Sequence, residues 1–319
     1  MSKAEMSSFS HFGFVPLNDF SMIAFSSAVE VLRMANYLER DRIYRWSIIN
    51  PVSRSVTSSN GLAVQASTCD EADIPDVVFV CGGVNIESAV DNASLDLLRV
   101  LADRGAAMGS LCTGAYALAK AGLLDGYRCA SHWENMAALK KAFPAVSFTQ
   151  DLFVIDRDRF TCTGGIAPLD MMLNIVSARV GKTTAAEIAD QFILEHVRDH
   201  GDRQHVPLAA RMDAAQPAML EVIQLMEANI EEPLSLDELV QLTKSSPRQL
   251  QRMFKKHMNV SPTQYYLTLR LQKARELLRH TDMSITNITA ACGFQSACHF
   301  SKVYRDVFHV APSAERRMS

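Results

Sequence analysis

The sequence predicts an α/β domain with a doubly wound parallel sheet, followed by an all-α domain with two helix-turn-helix units. Three observations carry this. Over roughly the first 200 residues, short apolar runs alternate with helical patterns, the rhythm of strand–helix–strand units. Over about the last 85, one pattern of two short helices joined by a tight turn occurs twice, some fifty residues apart. The charge is also divided. Thr243 to Ser319 hold 13 Lys+Arg against 4 Asp+Glu, so a chain of net charge −3 carries −12 before that point. An acidic body with a basic end is expected when only one part meets phosphates.

In order, Phe12–Leu17 reads as a strand and Ser21 to Leu38 as a helix. Tyr44–Ile49 is a second strand, and Val77–Cys81 is a buried one running into Gly82-Gly83. Asn92–Asp103 is helical. Ala106–Leu111 is a small-residue strand ending at Cys112, with a helix from Thr113 to Ala121. Leu152–Ile155 and Phe160–Thr161 form a hairpin before a helix through Asp170–Arg179. Gly181-Lys182-Thr183-Thr184 resembles the end of a phosphate-binding loop, but the first glycine of such a loop would stand at Val176, so it reads as a helix junction. Residues 1–197 are thus one domain and 198–216, polar and punctuated by Pro207, are a linker. Residues 217–319 are the second domain, opened by a helix at Pro217.

In the first helix-turn-helix, Leu236, Leu239 and Leu242 share one face, and Ser246 caps a helix that begins at Pro247. Leu250, Met253 and Phe254 face inward, which turns Arg248, Gln249, Gln251, Arg252 and Lys255 outward. Arg and Gln are the side chains that pair bidentately with guanine and adenine edges. In the second unit Ile285 and Ile288 pack, Cys292-Gly293-Phe294 turns, and Ser296 caps the next helix. Phe300, Val303 and Tyr304 face inward there. Ala297, Cys298, His299, Ser301 and Lys302 face outward, a surface better suited to positioning than to base reading. Adjacent major grooves demand helices about 34 Å apart, a spacing the helix from Pro262 to Leu278 can set. Double-stranded DNA is the partner this pattern implies.

Residues 217–319 resemble the AraC/XylS transcription regulators. The resemblance rests on Ser245-Ser246-Pro247-Arg248-Gln249-Leu250-Gln251-Arg252-Met253-Phe254-Lys255, on Ala290-Ala291-Cys292-Gly293-Phe294, and on His299-Phe300-Ser301-Lys302-Val303-Tyr304-Arg305. It implies that both recognition helices enter major grooves. Arg248, Gln251 and Arg252 then stand at base-reading positions, and Ala297, Cys298, His299 and Lys302 on the second contact face.

Seven cysteines (Cys69, Cys81, Cys112, Cys129, Cys162, Cys292 and Cys298) show no metal-site or C-x-x-C spacing, and no 18-residue apolar run is present. The expectation is a cytoplasmic chain with free thiols, no metal and no cofactor. Ser110-Leu111-Cys112-Thr113-Gly114 places a nucleophile-type residue on a sharp strand-to-helix turn, where the helix end would favour a thiolate. Gly82-Gly83 would offer backbone N–H groups nearby, and His132 in Ala130-Ser131-His132-Trp133-Glu134 is a third member.

Residues 12–195 look like the PfpI/ThiJ branch of the class I glutamine amidotransferase fold. Leu111-Cys112-Thr113-Gly114-Ala115, Ala121-Gly122-Leu123-Leu124-Asp125-Gly126 and Ser131-His132-Trp133 are similar to the GlxA-type regulators, which join such a domain to an AraC-type reader. The catalytic Glu of the wider superfamily aligns with Ser21, and the His that follows the Cys in peptidase-like members is Thr113. The resemblance therefore implies a binding site and no catalytic residue. Phe20, Gly82, Gly83, Cys112, Thr113, Tyr116, His132 and Trp133 are expected to line it, with Asp19 and Glu134 adding charge. Leu17-Asn18-Asp19-Phe20, Ser27 to Asn36 and Tyr44-Arg45-Trp46 resemble the subset responding to quaternary amines such as carnitine and glycine betaine, with arginine-responsive regulators close by. Activation, homodimers and RNA polymerase as a partner follow from the family. The acidic run Glu221 to Glu238 reads as a solvated face, with polymerase or the sensor as its other possible contact. The rival readings are a cysteine-dependent hydrolase or amidase with an appended DNA-binding domain, and an orphan DNA binder whose first domain only dimerises.

Overall fold

The computed structural model describes residues 3–68, 73–194, 197–199, 202, 204 and 217–318. The chain divides into two compact units, Met1–His205 and Val206–Ser319. Most of the 198–216 segment, and Cys69, lie outside the described residues.

The described strands are β1 (His11–Pro16), β2 (Arg45–Ile48), β3 (Ser55–Thr57), β4 (Ala63–Gln65), β5 (Val77–Cys81), β6 (Ala107–Leu111), β7 (Arg128–Cys129), β8 (Ser147–Phe148), β9 (Phe153–Asp156) and β10 (Arg159–Cys162). Six form the main sheet in the order β2-β1-β5-β6-β10-β9. All its pairings are parallel except β9 with β10, the hairpin expected from sequence. Strands β1, β5, β6 and β10 are buried along their whole length, because a parallel sheet is covered on both faces.

Alternation assigns the sides. Phe12, Phe14, Val77, Phe79 and Phe160 enter one core with the Met22–Glu39 and Ala167–Gln191 helices. Val15, Val78, Val80 and Met108 enter the other with the Asn92–Asp103 and Ala115–Lys120 helices. The small residues of β6 have a packing cause. A Cβ on Gly109 would stand 2.3 Å from the Phe79 ring and 2.7 Å from the Phe160 carbonyl oxygen. The Ala167–Gln191 helix breaks at Gly181 (φ 82°, ψ 167°), so the Gly-Lys-Thr-Thr segment is a helix junction. The short hairpin β3–β4 and the two-residue pair β7–β8 left no periodic signal in the sequence.

The segment read as a linker begins inside the first unit. Arg198 donates from its backbone N–H, Nε and Nη2 to Asp170 (2.8, 3.0 and 2.6 Å), a carboxylate in the first turn of the Ala167–Gln191 helix that is 3% exposed.

The second unit is built on serine caps. Ser235 and Ser246 each complete a capping box, with Glu238 and Gln249, and Ser284 and Ser296 accept from the N–H of Asn287 and His299. The paired helices are Leu236–Leu242 with Pro247–Met258, and Ile285–Ala291 with Ala297–Phe308. Leu250 and Phe254 are buried in the first core, Phe300 and Tyr304 in the second. Leu242 is not on the apolar face as expected. It is 53% exposed, because the helix ends there and Thr243 takes the inward place, its hydroxyl donating to the Leu239 carbonyl (2.7 Å). The Pro262–His280 helix serves both halves, giving Tyr266 to the first core and Leu271, Ala274 and Leu278 to the second.

The two copies differ in their turns, the second being one residue longer between caps. That turn takes Gly293 into the left-handed region (φ 70°), where a Cβ would also stand 2.5 Å from the Pro233 ring and 2.7 Å from the Ile230 carbonyl oxygen. Arg270 of the shared helix binds the same turn. Its Nε and Nη2 donate to the Cys292 and Gly293 carbonyls (2.8 and 2.6 Å), and its guanidinium lies 4.1 Å from the Phe294 ring centre.

Candidate functional site

Strands β5 and β6 end side by side, and the chain turns at Cys112. This residue adopts φ 60°, a left-handed conformation that costs a non-glycine residue about 1–3 kcal/mol. Its backbone is held on both sides. The N–H donates to the Thr163 carbonyl (3.3 Å), and the carbonyl accepts from the His132 N–H (3.3 Å) and the Ser131 hydroxyl (3.4 Å). The elbow expected from Ser110 to Gly114 is therefore present.

Close backbone contacts require the neighbouring glycines. A Cβ on Gly82 would stand 2.4 Å from the Gly114 nitrogen, and one on Gly83 2.0 Å from the Asp19 carbonyl oxygen. The Thr113 hydroxyl donates to the Gly83 carbonyl (2.8 Å), tying the elbow to this loop. The Gly82 N–H donates to the Leu111 carbonyl (3.2 Å), so it is not available to the elbow as the sequence suggested. Close backbone approach excludes a Cβ at both glycines.

Sequence alone gave no proximity between Cys112 and His132. Gly164, in the loop after β10, supplies it: a Cβ there would stand 3.0 Å from the Cys112 sulfur, 2.7 Å from His132 Cδ2 and 3.4 Å from Nε2. Only glycine leaves that space. The sequence signal was a second glycine pair, Gly164-Gly165, one residue past a buried strand. His132 Nδ1 lies 3.5 Å from the Glu134 carboxylate without a hydrogen bond, and the Trp133 ring is tilted on the imidazole at 5.3 Å.

Electrostatics decide what this group can do. Burial pushes the Cys112 thiol up to about 11; the Thr113 N–H aimed at the sulfur opposes this too weakly, and the Glu134 charge adds to it. Burial also lowers His132 below its usual value, against the pull of Glu134. At neutral pH the pair is a thiol beside a neutral imidazole. The expected thiolate is overturned, because desolvation of a buried charge outweighs a donor at the end of a short helix.

The two other aromatic residues expected on the site wall have packing partners of their own. Phe20 is wholly buried, edge-on to Phe25 at 5.6 Å. Tyr116 packs edge-on to Phe143 (5.6 Å) with the core on the opposite face of the sheet. Trp133 alone of the three stands beside His132.

On the second unit, Arg248, Gln249, Gln251, Arg252 and Lys255 are exposed on the first recognition helix, and Ser296, Ala297, Cys298, His299 and Lys302 on the second. Gln249 has a prior engagement: its amide oxygen accepts the Ser246 N–H (3.0 Å) in the capping box. Ser296 likewise serves as a cap. Among the described residues no group of His, Cys, Asp or Glu is placed to hold a metal, and no helix is long and apolar enough to cross a membrane.

An elbow-bearing α/β unit followed by a double helix-turn-helix defines a transcription regulator that carries its own accessory domain. Residues 18–178 match the DJ-1/PfpI family and residues 239–318 match a helix-turn-helix domain. The HTH-type transcriptional regulator GbdR of Pseudomonas aeruginosa is 46% identical over 306 residues, covering 96% of this chain and 83% of that one. CdhR of the same species, also an HTH-type transcriptional regulator, is 39% identical over 306 residues, with 96% and 91% covered. The crystal structure of an AraC family transcriptional regulator from Pseudomonas putida matches 57% of this chain and 99% of its own, at 31% identity and a TM-score of 0.53. The chain belongs to the AraC family of helix-turn-helix transcription regulators, in the group that carries a DJ-1/PfpI domain ahead of the DNA reader.

Proposed function

We propose that the first unit senses a small nitrogenous metabolite, an amine or amino acid of the carnitine, glycine betaine or arginine kind. Its occupancy sets whether the second unit activates transcription of genes that break the compound down. The observation that carries this is the meeting of Cys112, His132, Trp133 and Gly164 at the C-terminal edge of a parallel sheet, where open α/β folds bind ligands. The thiol and imidazole there are both neutral. A built site without an activated nucleophile favours binding over turnover. Trp133 offers an aromatic face and Glu134 a carboxylate, both suited to a cation. Cytoplasmic location, a homodimer and a contact with RNA polymerase complete the reading.

A thermal-shift series on the full chain with glycine betaine, carnitine and L-arginine tests it. A ligand of the folded state at a hundred times its Kd stabilises by about 2.7 kcal/mol, which raises Tm by several degrees. Three flat curves would remove the sensor reading. The Cys112→Ala variant should keep operator binding, since the sulfur has no part in the DNA face. The same close Cys112–His132 approach supports the rival hydrolase, and a turnover in the wild type that this variant loses would establish it.

The reading face is Arg248, Gln251 and Arg252, with Ala297, Cys298, His299 and Lys302 setting register in the next groove. Arg252→Ala is expected to weaken operator binding by about 1–3 kcal/mol and relax discrimination at one position. Lys255 lines a hollow of about 400 Å³ with Ser261 and Gln264, at the N-terminus of the Pro262–His280 helix. A cation beside a helix start suits a phosphate. Lys255→Ala should therefore weaken operator and random DNA alike and reduce the salt slope by about one. Fluorescence anisotropy across a salt series separates the two variants. Equal losses on both DNAs for Arg252→Ala would refute its base-reading role.

A further inference from the structure

We propose that Arg198, Asp202 and Gln204 mark the output arm of the first unit, and that Gln204 and Asp170 are positioning residues that seat it on the elbow. This rests on the reading of that unit as a sensor and specifies how its state leaves it.

The elbow peptide and the arm are joined by two short hydrogen-bond routes. On one side the Cys112 N–H donates to the Thr163 carbonyl (3.3 Å), the Thr163 N–H to the Leu152 carbonyl (2.9 Å), and the Leu152 N–H to the Asp202 carbonyl (2.9 Å). On the other side the Ser131 hydroxyl and the His132 N–H both donate to the Cys112 carbonyl (3.4 and 3.3 Å), and the Ser131 carbonyl accepts from Gln204 Nε2 (3.2 Å). Both polar groups of one left-handed peptide therefore lead, within a few residues, to the same short stretch of chain. That stretch precedes the helix beginning at Pro217.

The seat is specific. Gln204 is 6% exposed, and its backbone N–H donates to the Gln150 carbonyl (3.0 Å). Asp170, in the first turn of the helix that follows Gly164 and buried, grips Arg198 through three hydrogen bonds. The seat is also imperfect: Gln204 Oε1 is buried with no hydrogen-bond partner among the described residues. A buried acceptor without a donor disfavours the state that contains it. The arm is therefore poised, since a small movement of Ser131 or His132 that changes the Gln204 bond shifts it off its seat. A ligand touching His132 and Trp133 acts on the residue next to Ser131. Coupling of this kind needs an element with two arrangements that both ends bias, and the arm is that element.

Linkage makes the test independent of the effector. If the elbow and DNA docking are coupled through the arm, operator binding must alter the elbow in return. Hydrogen exchange of the full-length protein is followed at Cys112, Leu152 and Thr163, with and without an operator obtained by in vitro selection on that protein. The wild type is expected to change exchange there by about threefold or more on operator binding. The Gln204→Ala and Arg198→Met variants should bind the operator yet show no such change. With glycine betaine, carnitine or L-arginine as probe, these variants should bind it as the wild type does but respond less than about twofold in transcription. Absence of any operator effect on the elbow of the wild type, or its survival in both variants, overturns the arm. If the operator effect is present but no probe acts on the wild type, the sensor reading fails and the arm stands.

Discussion

Replacing Glu315 by Ala is expected to abolish operator binding while the first unit stays folded. Glu315 is 2% exposed, and its carboxylate accepts from Arg275 Nε (3.0 Å), Arg279 Nε (2.7 Å) and the Tyr304 hydroxyl (3.1 Å). Tyr304 is on the inner face of the second recognition helix, and both arginines are on the Pro262–His280 helix, so this carboxylate fixes one to the other. Its loss takes one shared acceptor from two cations and a buried hydroxyl. Breaking a buried pair costs about 3–5 kcal/mol. Arg275 is 31% exposed and partly screened, which lowers the expectation to about 2–3 kcal/mol. That is a large share of the stability of a domain this size. Glu315→Gln should fall between, keeping an acceptor without the charge.

The same residue predicts a pH dependence. Burial pushes the Glu315 carboxyl up, but hydrogen bonds and charge from Arg279 and Arg275 outweigh it and hold the value below the usual 4.5. The folded value is depressed, so the stabilisation is complete above about 4.5 and disappears as pH falls through the folded value. Melting followed from pH 7 to 3 should show the wild type losing more than Glu315→Ala below about 4.5. Parallel curves would refute the clamp. In the first copy the corresponding positions, fifty residues earlier, hold Phe254 and Tyr265, edge-on at 5.4 Å. Acid should therefore weaken the second half before the first.

Gly83→Ala is expected to destabilise the first unit by about 3 kcal/mol or more. The new Cβ would lie 2.0 Å from the Asp19 carbonyl oxygen and 2.7 Å from the Phe20 carbonyl carbon and the Ser21 nitrogen. Each is a backbone atom, so no side-chain rotation relieves the clash. The bonds from the Val84 N–H to Asp19 (3.1 Å) and from the Ser21 N–H to Gly82 (3.0 Å) hold the two segments in place. Overpacking in a core costs about 1–3 kcal/mol even where side chains can yield, so a backbone clash belongs at or above that limit. Scanning calorimetry of the full chain should show the transition of the first unit falling by about 10 °C, with that of the second unchanged. A shift under about 2 °C would mean the loop moves freely.

The sequence made the sheet and both helix-turn-helix units legible for a physical reason. Strands buried on both faces must be apolar throughout, so Val77–Cys81 carries its own signal, and Ser-Pro caps mark helix starts wherever they occur. The site was legible only in part. Cys112 announced itself by the small residues around a strained turn. His132 joins it from a loop after the two-residue β7, and Gly164 makes room for both; no periodicity in the sequence reports that these loops meet. Phe20 and Tyr116 were not separable by sequence, because an aromatic side chain gives the same signal in a core as on a ligand wall. The thiolate misled because a helix end is visible in a sequence and desolvation is not. Residues 198–204 were polar and read as linker. Polarity does not reveal that Arg198 has Asp170 and that Gln204 has Ser131.

The contact of Gly293 with Pro233 and Ile230 bears on how the regulated promoters can evolve. Each half of the reader is wedged against the other, so neither can turn to follow a displaced half-element. Single base changes in an operator forfeit a contact or two and leave a weakened site that selection can still act on. An inserted or deleted base pair between the two half-elements moves one of them by about 34–36° of helical phase, and a locked pair of helices cannot follow. Promoters under this protein should therefore vary in letters while holding their spacing fixed.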